Sequence, residues 1–299
     1  MDTQSIIEPA DARQGHDATE DIRPRLRGMW SAVAPAWGEH ADYLEARHAE
    51  STARMLAAIS PRRGERVLDL ACGAGGTGLA AAALVAPGEV VLSDVVAEMT
   101  VIAARRAADQ GSANVSTRVL DLERIEQPDA SYDVVLCREG LMFVPDPAAA
   151  LREIRRILRP GGRAALAVWG PREHNPWMSL IFDAVGAQLG RPVPPPGVPG
   201  PFSLQDAEHL GALLADAGLA DVAVRDVAVP LRSDSFEDWW SRTSALAGPL
   251  ARILAAMPAP AKRAVVADLR ERTAPYRVGD GDGLAFPGVT LLATGGRAA

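Results

Sequence analysis

The chain has 299 residues, 48% of them hydrophobic and 23% charged, enough apolar material for a large folded domain and too much for a disordered chain. Its net charge is −7, from 38 acidic against 31 basic side chains, which argues against a clustered basic face for nucleic acid. All the basic residues except Lys262 are arginines, and they are scattered.

Two cysteines, Cys72 and Cys137, sit in apolar strand-like contexts. A disulfide framework needs more of them, so a reducing cytoplasm is expected. Residues 1–28 are polar and mixed in charge, without the apolar core of a signal peptide, and read as a flexible tail. The small-residue run at 79–86 is too short to span a bilayer, so no stable membrane insertion is expected.

From 29 to 59 apolar residues recur at helical spacing, ending at Ser60-Pro61. Strand and helix signals then alternate: strand 66–70, helix 76–85, strand 90–93, helix 97–108, strands 115–120 and 132–137, and helix 146–158. The run Arg159-Pro-Gly-Gly162 is a stop signal before a fifth strand at 163–169. Strands separated by helices imply parallel pairing with right-handed crossovers, hence an α/β doubly wound sheet. After Trp169 the rhythm changes. A helix at 175–189 precedes a stiff connector with six prolines at 191–201, and a helix over 205–217 is introduced by Ser203. A strand at 222–229, a helix from Ser235, Ala-rich helical sequence to 274 broken at 258–260, and a last strand at 289–294 complete the chain.

The densest signal is VLDLACGAGGTG at 67–78, in which Gly73, Gly75 and Gly78 keep G-x-G-x-x-G spacing. Such glycines let the backbone turn sharply, and the following helix offers free N–H groups to an anion. Asp69, four residues before Gly73, would sit badly beside a pyrophosphate and suits a ligand carrying an ammonium group. Asp94, 21 residues after Gly73, is placed to accept both ribose hydroxyls of an adenosine, or to cap the next helix. Asp121-Leu122 closes the third strand, where it could meet an adenine edge. Three carboxylates at the ends of three successive strands, around one glycine-rich turn, form a ligand crevice.

Residues 67–169 resemble a class I S-adenosylmethionine-dependent methyltransferase, of the type that includes the quinone-biosynthesis C-methyltransferases. The matching stretches are VLDLACGAG at 67–75, Ser93-Asp94 with Glu98-Met99, Asp121-Leu122, SYDVVLC at 131–137 and LRPGG at 158–162. The resemblance implies a Rossmann-like, seven-stranded sheet, mostly parallel with an antiparallel last strand, and a helical substrate cap. It divides the chain into the tail 1–28, a helical lid and cofactor-binding core over 29–170, and a cap region over 171–299 that includes the sheet's last two strands. It implies S-adenosyl-L-methionine as cofactor, with Asp69, Gly73, Ala74 and Gly75 around its methionine part. Asp94 would take the ribose, Met99 the adenine face and Asp121-Leu122 the adenine edge, while Cys137 and Arg138 would offer backbone groups beside the amine.

Methyl transfer from a sulfonium is an in-line displacement that needs no metal, and no His/Cys/Asp/Glu set has convincing metal spacing: His40 and His48 are eight apart without a third ligand. Trp30, Trp37 and Tyr43 form an aromatic segment able to close over the cofactor, where a ring face gains about 0.5–2 kcal/mol against a cation; the same tryptophans could simply pack the first helix on the sheet. If the acceptor must lose a proton, His174 after the fifth strand is the first candidate base, followed by Glu139 and His40. Trp177, Trp239 and Trp240, with Phe182, Phe202 and Phe236, read as helix docking or as an apolar lid over a ring-containing acceptor. The expectation is methylation of a small, largely apolar metabolite, quinone-like or a specialised natural product. Two other readings are a nicotinamide-dependent oxidoreductase, against which Asp69 and the last strand count, and a protein that binds the cofactor without transferring methyl. The nature of the methylated atom and the oligomeric state stay open.

Overall fold

In the computed structural model, which describes residues 22–279 and 281–299, the chain opens with helices α1 (Ile22–Glu39) and α2 (Ala41–Ile59). The segment expected as a tail is therefore helical from Ile22 on. Leu26, Met29 and Val33 recur on one face of α1 and are buried, which holds this polar sequence in a helix. The remainder of that expected tail lies outside the described residues.

The alternating core follows: β1 (Val67–Leu70), α3 (Gly76–Val85), β2 (Val90–Asp94), α4 (Ala97–Asp109), β3 (Val115–Val119), β4 (Tyr132–Arg138), α5 (Pro147–Ile157) and β5 (Leu158–Trp169). Beyond it lie α6 (Pro176–Leu189), α7 (Ala207–Asp216), β6 (Ala220–Ala228) and β7 (Leu231–Ser233). The chain ends with α8 (Phe236–Leu246), α9 (Gly248–Ala256), α10 (Ala259–Arg272), β8 (Arg277–Val278), β9 (Gly283–Phe286) and β10 (Val289–Gly296).

Seven strands make one sheet in the order β3-β2-β1-β4-β5-β10-β6, in which β10 runs antiparallel to both neighbours and the remaining pairs are parallel. β1 and β2 are buried along their whole length, as strands covered on both faces must be. Helix α3 presses close on this sheet because it is built from small residues. A Cβ on Gly78 would stand 2.2 Å from Leu92 Cδ2 and 2.9 Å from the Asp69 carboxylate. The strand order turns back beside β1, with β2 on one side and β4 on the other, and the crevice beyond those strand ends is where such sheets bind ligands.

Local chemistry sets the boundaries. Asp146 caps α5 by accepting from Ala149 N at 2.8 Å, with Pro147 in the first turn. Ser235 caps α8 through Asp238 N at 3.1 Å. Helix α7 starts later than its sequence suggests, because Asp206 is the cap, accepting from His209 N at 2.8 Å. Ser203 instead accepts from Gly200 N at 2.8 Å and closes the preceding turn. The Arg-Pro-Gly-Gly run stops α5 as expected but belongs to β5, where Gly161 N donates to Arg297 O at 2.8 Å.

Beyond the main sheet, β7, β9 and β8 form a small antiparallel sheet that brackets α8–α10 in sequence. Phe286 of β9 packs against Trp239 of α8 and Tyr276, with ring centroids 5.2 and 4.8 Å apart. No described helix is long and apolar enough to cross a membrane. Where β5 gives way to α6, Asn175 is fully buried and works as a five-bond junction. The two protons on its Nδ2 are shared among the carbonyls of Gly170, Pro171 and Val289. Its Oδ1 accepts from Trp177 Nε1 and Val289 N, both at 3.1 Å.

Candidate active site

The turn after β1 holds Ala71, Gly73 and Gly75 at φ of +49°, +52° and +92°, the left-handed region that glycine tolerates and alanine enters at a cost. Asp69 is buried at the end of β1. Its Oδ2 accepts from Gly78 N at 2.7 Å, so the carboxylate ties β1 to the first turn of α3, and burial pushes its pKa up to about 7. That bond engages one carboxylate oxygen, and Asp69 is not among the residues that line the crevice. Asp94, at the tip of β2, does not cap the next helix, whose N-cap is Val96 without a side-chain bond, but braces the two loops beside it. Its Oδ1 accepts from Val96 N and its Oδ2 from Gly73 N, each at 3.0 Å, while the residue also lines the crevice. Burial raises its pKa to about 6 against those two bonds.

The crevice is a cavity of about 820 Å³ counted with the open solvent at its mouth. Gly73, Asp94, Met99, Asp121, Leu122 and Arg138 line it, as expected from sequence. Ala74, Gly75 and Cys137 are buried and do not line it: Ala74 and Gly75 belong to the turn itself, and burial of the Cys137 thiol near the end of β4 pushes its pKa up to about 12. Asp94 at the tip of β2 and Asp121 after β3, with apolar Met99 and Leu122 lining the same cavity, fit a nucleoside whose sugar is polar and whose base is flat. Helix α1 forms the roof through Leu26 and Trp30, and Arg23 grips Glu123 on the opposite side with two hydrogen bonds of 2.8 Å.

A second cavity of about 710 Å³ adjoins the first, and Trp30, Trp37, Glu139 and Phe143 line both. Its walls are aromatic. Trp169 and Trp177 meet edge to face at 5.0 Å, and Trp30 meets Phe143 the same way at 4.9 Å. Of the expected substrate-lining residues, Trp30, Trp37, Tyr43, Glu139 and Trp177 are here. Trp239 and Trp240 are not. Trp239 is 1% exposed and supports the wall from behind, its Nε1 donating to the Trp177 carbonyl at 3.0 Å. Trp240 packs on the edge of the main core.

His174 stands exposed on the short turn Arg172–His174 and lines neither cavity, and half-buried His40, between α1 and α2, lines neither either. The histidine at the site is His48, one turn of α2 beyond Leu44. Its Nε2 lies 3.0 Å from Glu139 Oε2, and its Nδ1 lies 2.7 Å from the Leu44 carbonyl. Glu139 holds a left-handed φ of +58° just past β4, a strained position of the kind that clusters at functional sites. Neighbouring Arg47 stacks its guanidinium 4.2 Å over Trp177. His48 and Arg47 carried no sequence signal beyond a helical position. Their pairing with Glu139 is tertiary, and only the fold brings residues 48 and 139 together.

Residues 67–162 match the family model described as a methyltransferase domain. The chain is 38% identical over 124 residues to a ubiquinone/menaquinone biosynthesis C-methyltransferase of Ectopseudomonas mendocina, covering 41% of this chain and 48% of that one. It is 32% identical over 164 residues to a 27-O-demethylrifamycin SV methyltransferase of Amycolatopsis mediterranei, covering 53% and 58%. The chain thus spans about half the length of the curated relatives it matches. Among solved structures it resembles the YcgJ protein of Bacillus subtilis, with a TM-score of 0.59 at 22% identity over 84% of this chain and 100% of that one.

Proposed function

Taking residues 67–162 as a methyltransferase domain of the class I S-adenosylmethionine-dependent type, we propose that the chain transfers a methyl group from S-adenosylmethionine to a small, largely apolar acceptor. The observation that carries this reading is the meeting of two cavities at Trp30, Trp37, Glu139 and Phe143, one suited to a nucleoside and the other to a ring. In it Asp94 takes the ribose hydroxyls, Met99 and Leu122 flank the adenine, and Asp121 reads the adenine edge. Gly73 and Arg138 lie toward the methionine end. The bound cofactor supplies an activated methyl group on a sulfonium. The protein has to align the acceptor with that carbon and keep water out, which the tryptophan walls accomplish. Relatives named for quinone and rifamycin methylation support a ring-bearing acceptor. The nicotinamide reading is disfavoured by β10, which is inserted antiparallel between β5 and β6.

Incubation with methyl-labelled cofactor and a panel of phenols, quinols and amines, followed by mass spectrometry, tests the reading. An acceptor heavier by one methyl group is expected; cofactor binding without any such product would favour a protein that binds the cofactor but transfers nothing. Asp94→Ala removes the acid at the ribose position together with its bonds from Gly73 N and Val96 N, hydrogen bonds worth about 1 kcal/mol each. The fold should persist by circular dichroism while S-adenosylhomocysteine affinity falls roughly tenfold or more, the loss of a charged hydrogen bond of about 1.5–3 kcal/mol. Unchanged affinity in calorimetry would count against the ribose contact.

A further inference from the structure

The junction of the two cavities holds more polar chemistry than packing requires. Arg47 Nη2, His48 Nε2 and Glu139 Oε1 are buried there without a hydrogen-bond partner in the protein. The Leu44 carbonyl can only accept, so at 2.7 Å it fixes the ring proton of neutral His48 on Nδ1. Nε2 then presents a bare lone pair 3.0 Å from Glu139 Oε2, and only a second ring proton would satisfy both neighbours. Burial opposes that charge and lowers the His48 pKa. Burial also works to raise the Glu139 pKa, but the net shift is downward, and with His48 neutral the nearby Arg138 and Arg47 guanidiniums are the charges that favour the carboxylate. The pair rests one proton short, with a carboxylate ready to stabilise the imidazolium that a captured proton would create.

We propose that Glu139 and His48 form a proton-accepting dyad for an acceptor with an acidic hydroxyl, a phenol or an enol, which is methylated on that oxygen. The proposal rests on the methyl-transfer reading above and specifies its acceptor. Glu139 lines both cavities, so the atom it deprotonates is the atom that faces the donor. Arg47 and Arg138 make the surroundings hostile to an ammonium and favourable to an oxygen anion, and the Trp169–Trp177 pair offers flat faces to an unsaturated ring. In the step, the acceptor O–H passes its proton to Glu139 Oε1 and the carboxyl hands a proton to His48 Nε2. The oxygen forms its bond to the methyl carbon as the carbon–sulfur bond breaks, leaving its electron pair on sulfur. The groups facing the dyad are Tyr43 and Arg47 on α2 and Arg138 on β4, whose Nη1 donates to Thr52 at 2.8 Å. Helices α6, α8 and α9 bring non-titrating Trp177, Thr243 and Pro249, and Arg242 of α8 stacks on the Tyr43 ring at 4.5 Å.

The test is the absorbance of 4-nitrophenol bound to the protein saturated with S-adenosylhomocysteine, a complex that cannot turn over. The wild type should show the phenolate band at a pH lower by roughly one unit than in water, and Glu139→Gln should abolish that shift. With the methyl donor, Glu139→Gln should slow transfer to weakly acidic phenols roughly 10²–10⁴-fold, the range of general-base catalysis, and slow transfer to phenols already ionised by less than tenfold. His48→Asn, a smaller change on a regular helix, should move both readouts in the same direction. Calorimetric binding of S-adenosylhomocysteine to each variant shows that the fold persists. No band shift in the wild type, equal losses for all phenols, or transfer to amines alone would overturn the dyad. Absence of S-adenosylhomocysteine binding to the wild type would overturn the methyl-transfer reading itself.

Discussion

Replacing Gly73 with alanine should weaken S-adenosylhomocysteine binding about 10²-fold and cripple methyl transfer while leaving the sheet folded. The residue adopts φ +52°, where an L side chain costs about 1–2 kcal/mol. The new Cβ would also stand 2.7 and 2.9 Å from two ring carbons of Trp37. That ring is not free to swing aside, because its Nε1 donates to the Leu246 carbonyl at 2.9 Å and its edge meets Trp30 at 6.1 Å. Overpacking of this kind costs about 1–3 kcal/mol more. Since Trp37 walls both cavities, the displacement falls on the proposed donor and acceptor sites together. Calorimetry and circular dichroism on the same sample would check it; wild-type affinity would mean that Trp37 does not close on the turn.

Asn175→Ala should lower stability by about 4 kcal/mol, roughly a 10 °C drop in Tm for a chain of this size. The substitution orphans two buried N–H groups, those of Trp177 Nε1 and the Val289 backbone, and strips a partner from three carbonyls. Volume is not the issue. Asn175→Asp keeps the shape and should be at least as damaging, since it aims a carboxylate at those same carbonyls. Thermal unfolding followed by circular dichroism reads both. A loss under 1 kcal/mol in either variant would mean that water replaces the amide. Because Asn175 orients the Trp177 indole, both variants should also loosen the acceptor cavity.

The alternating core was legible in the sequence because its signals are local. Short, mostly apolar runs such as VLDL, interrupted only by Asp69, make buried parallel strands, and Asp146-Pro147 announces a helix start in two residues. The cavity at the strand tips was legible for the same reason: Gly73, Asp94, Met99 and Asp121-Leu122 lie at or soon after strand ends, and strand ends in this topology converge. Less legible was where side chains point. Asp69 lies in the expected place but turns its carboxylate to Gly78 N, a bond that depends on how closely α3 packs. Strands β7, β8 and β9 are two to four residues long, too short to show alternation; β8 and β9 form a local hairpin, and β7 joins them only through pairings across 51 to 55 residues. His174 looked like the base because it follows a strand end, yet its turn leads away to solvent. His48 sits mid-helix, and only the crossing of α2 over the end of β4 makes it a partner for Glu139.

The central claim is that an adenosine-bearing sulfonium occupies the cavity at the tips of β1, β2 and β3 beneath α1. Titration calorimetry of the folded protein with S-adenosylhomocysteine tests it most directly. The account predicts saturable one-site binding that Asp94→Ala and Gly73→Ala both weaken. No heat from that ligand, with saturable binding of a nicotinamide dinucleotide in its place, would contradict it.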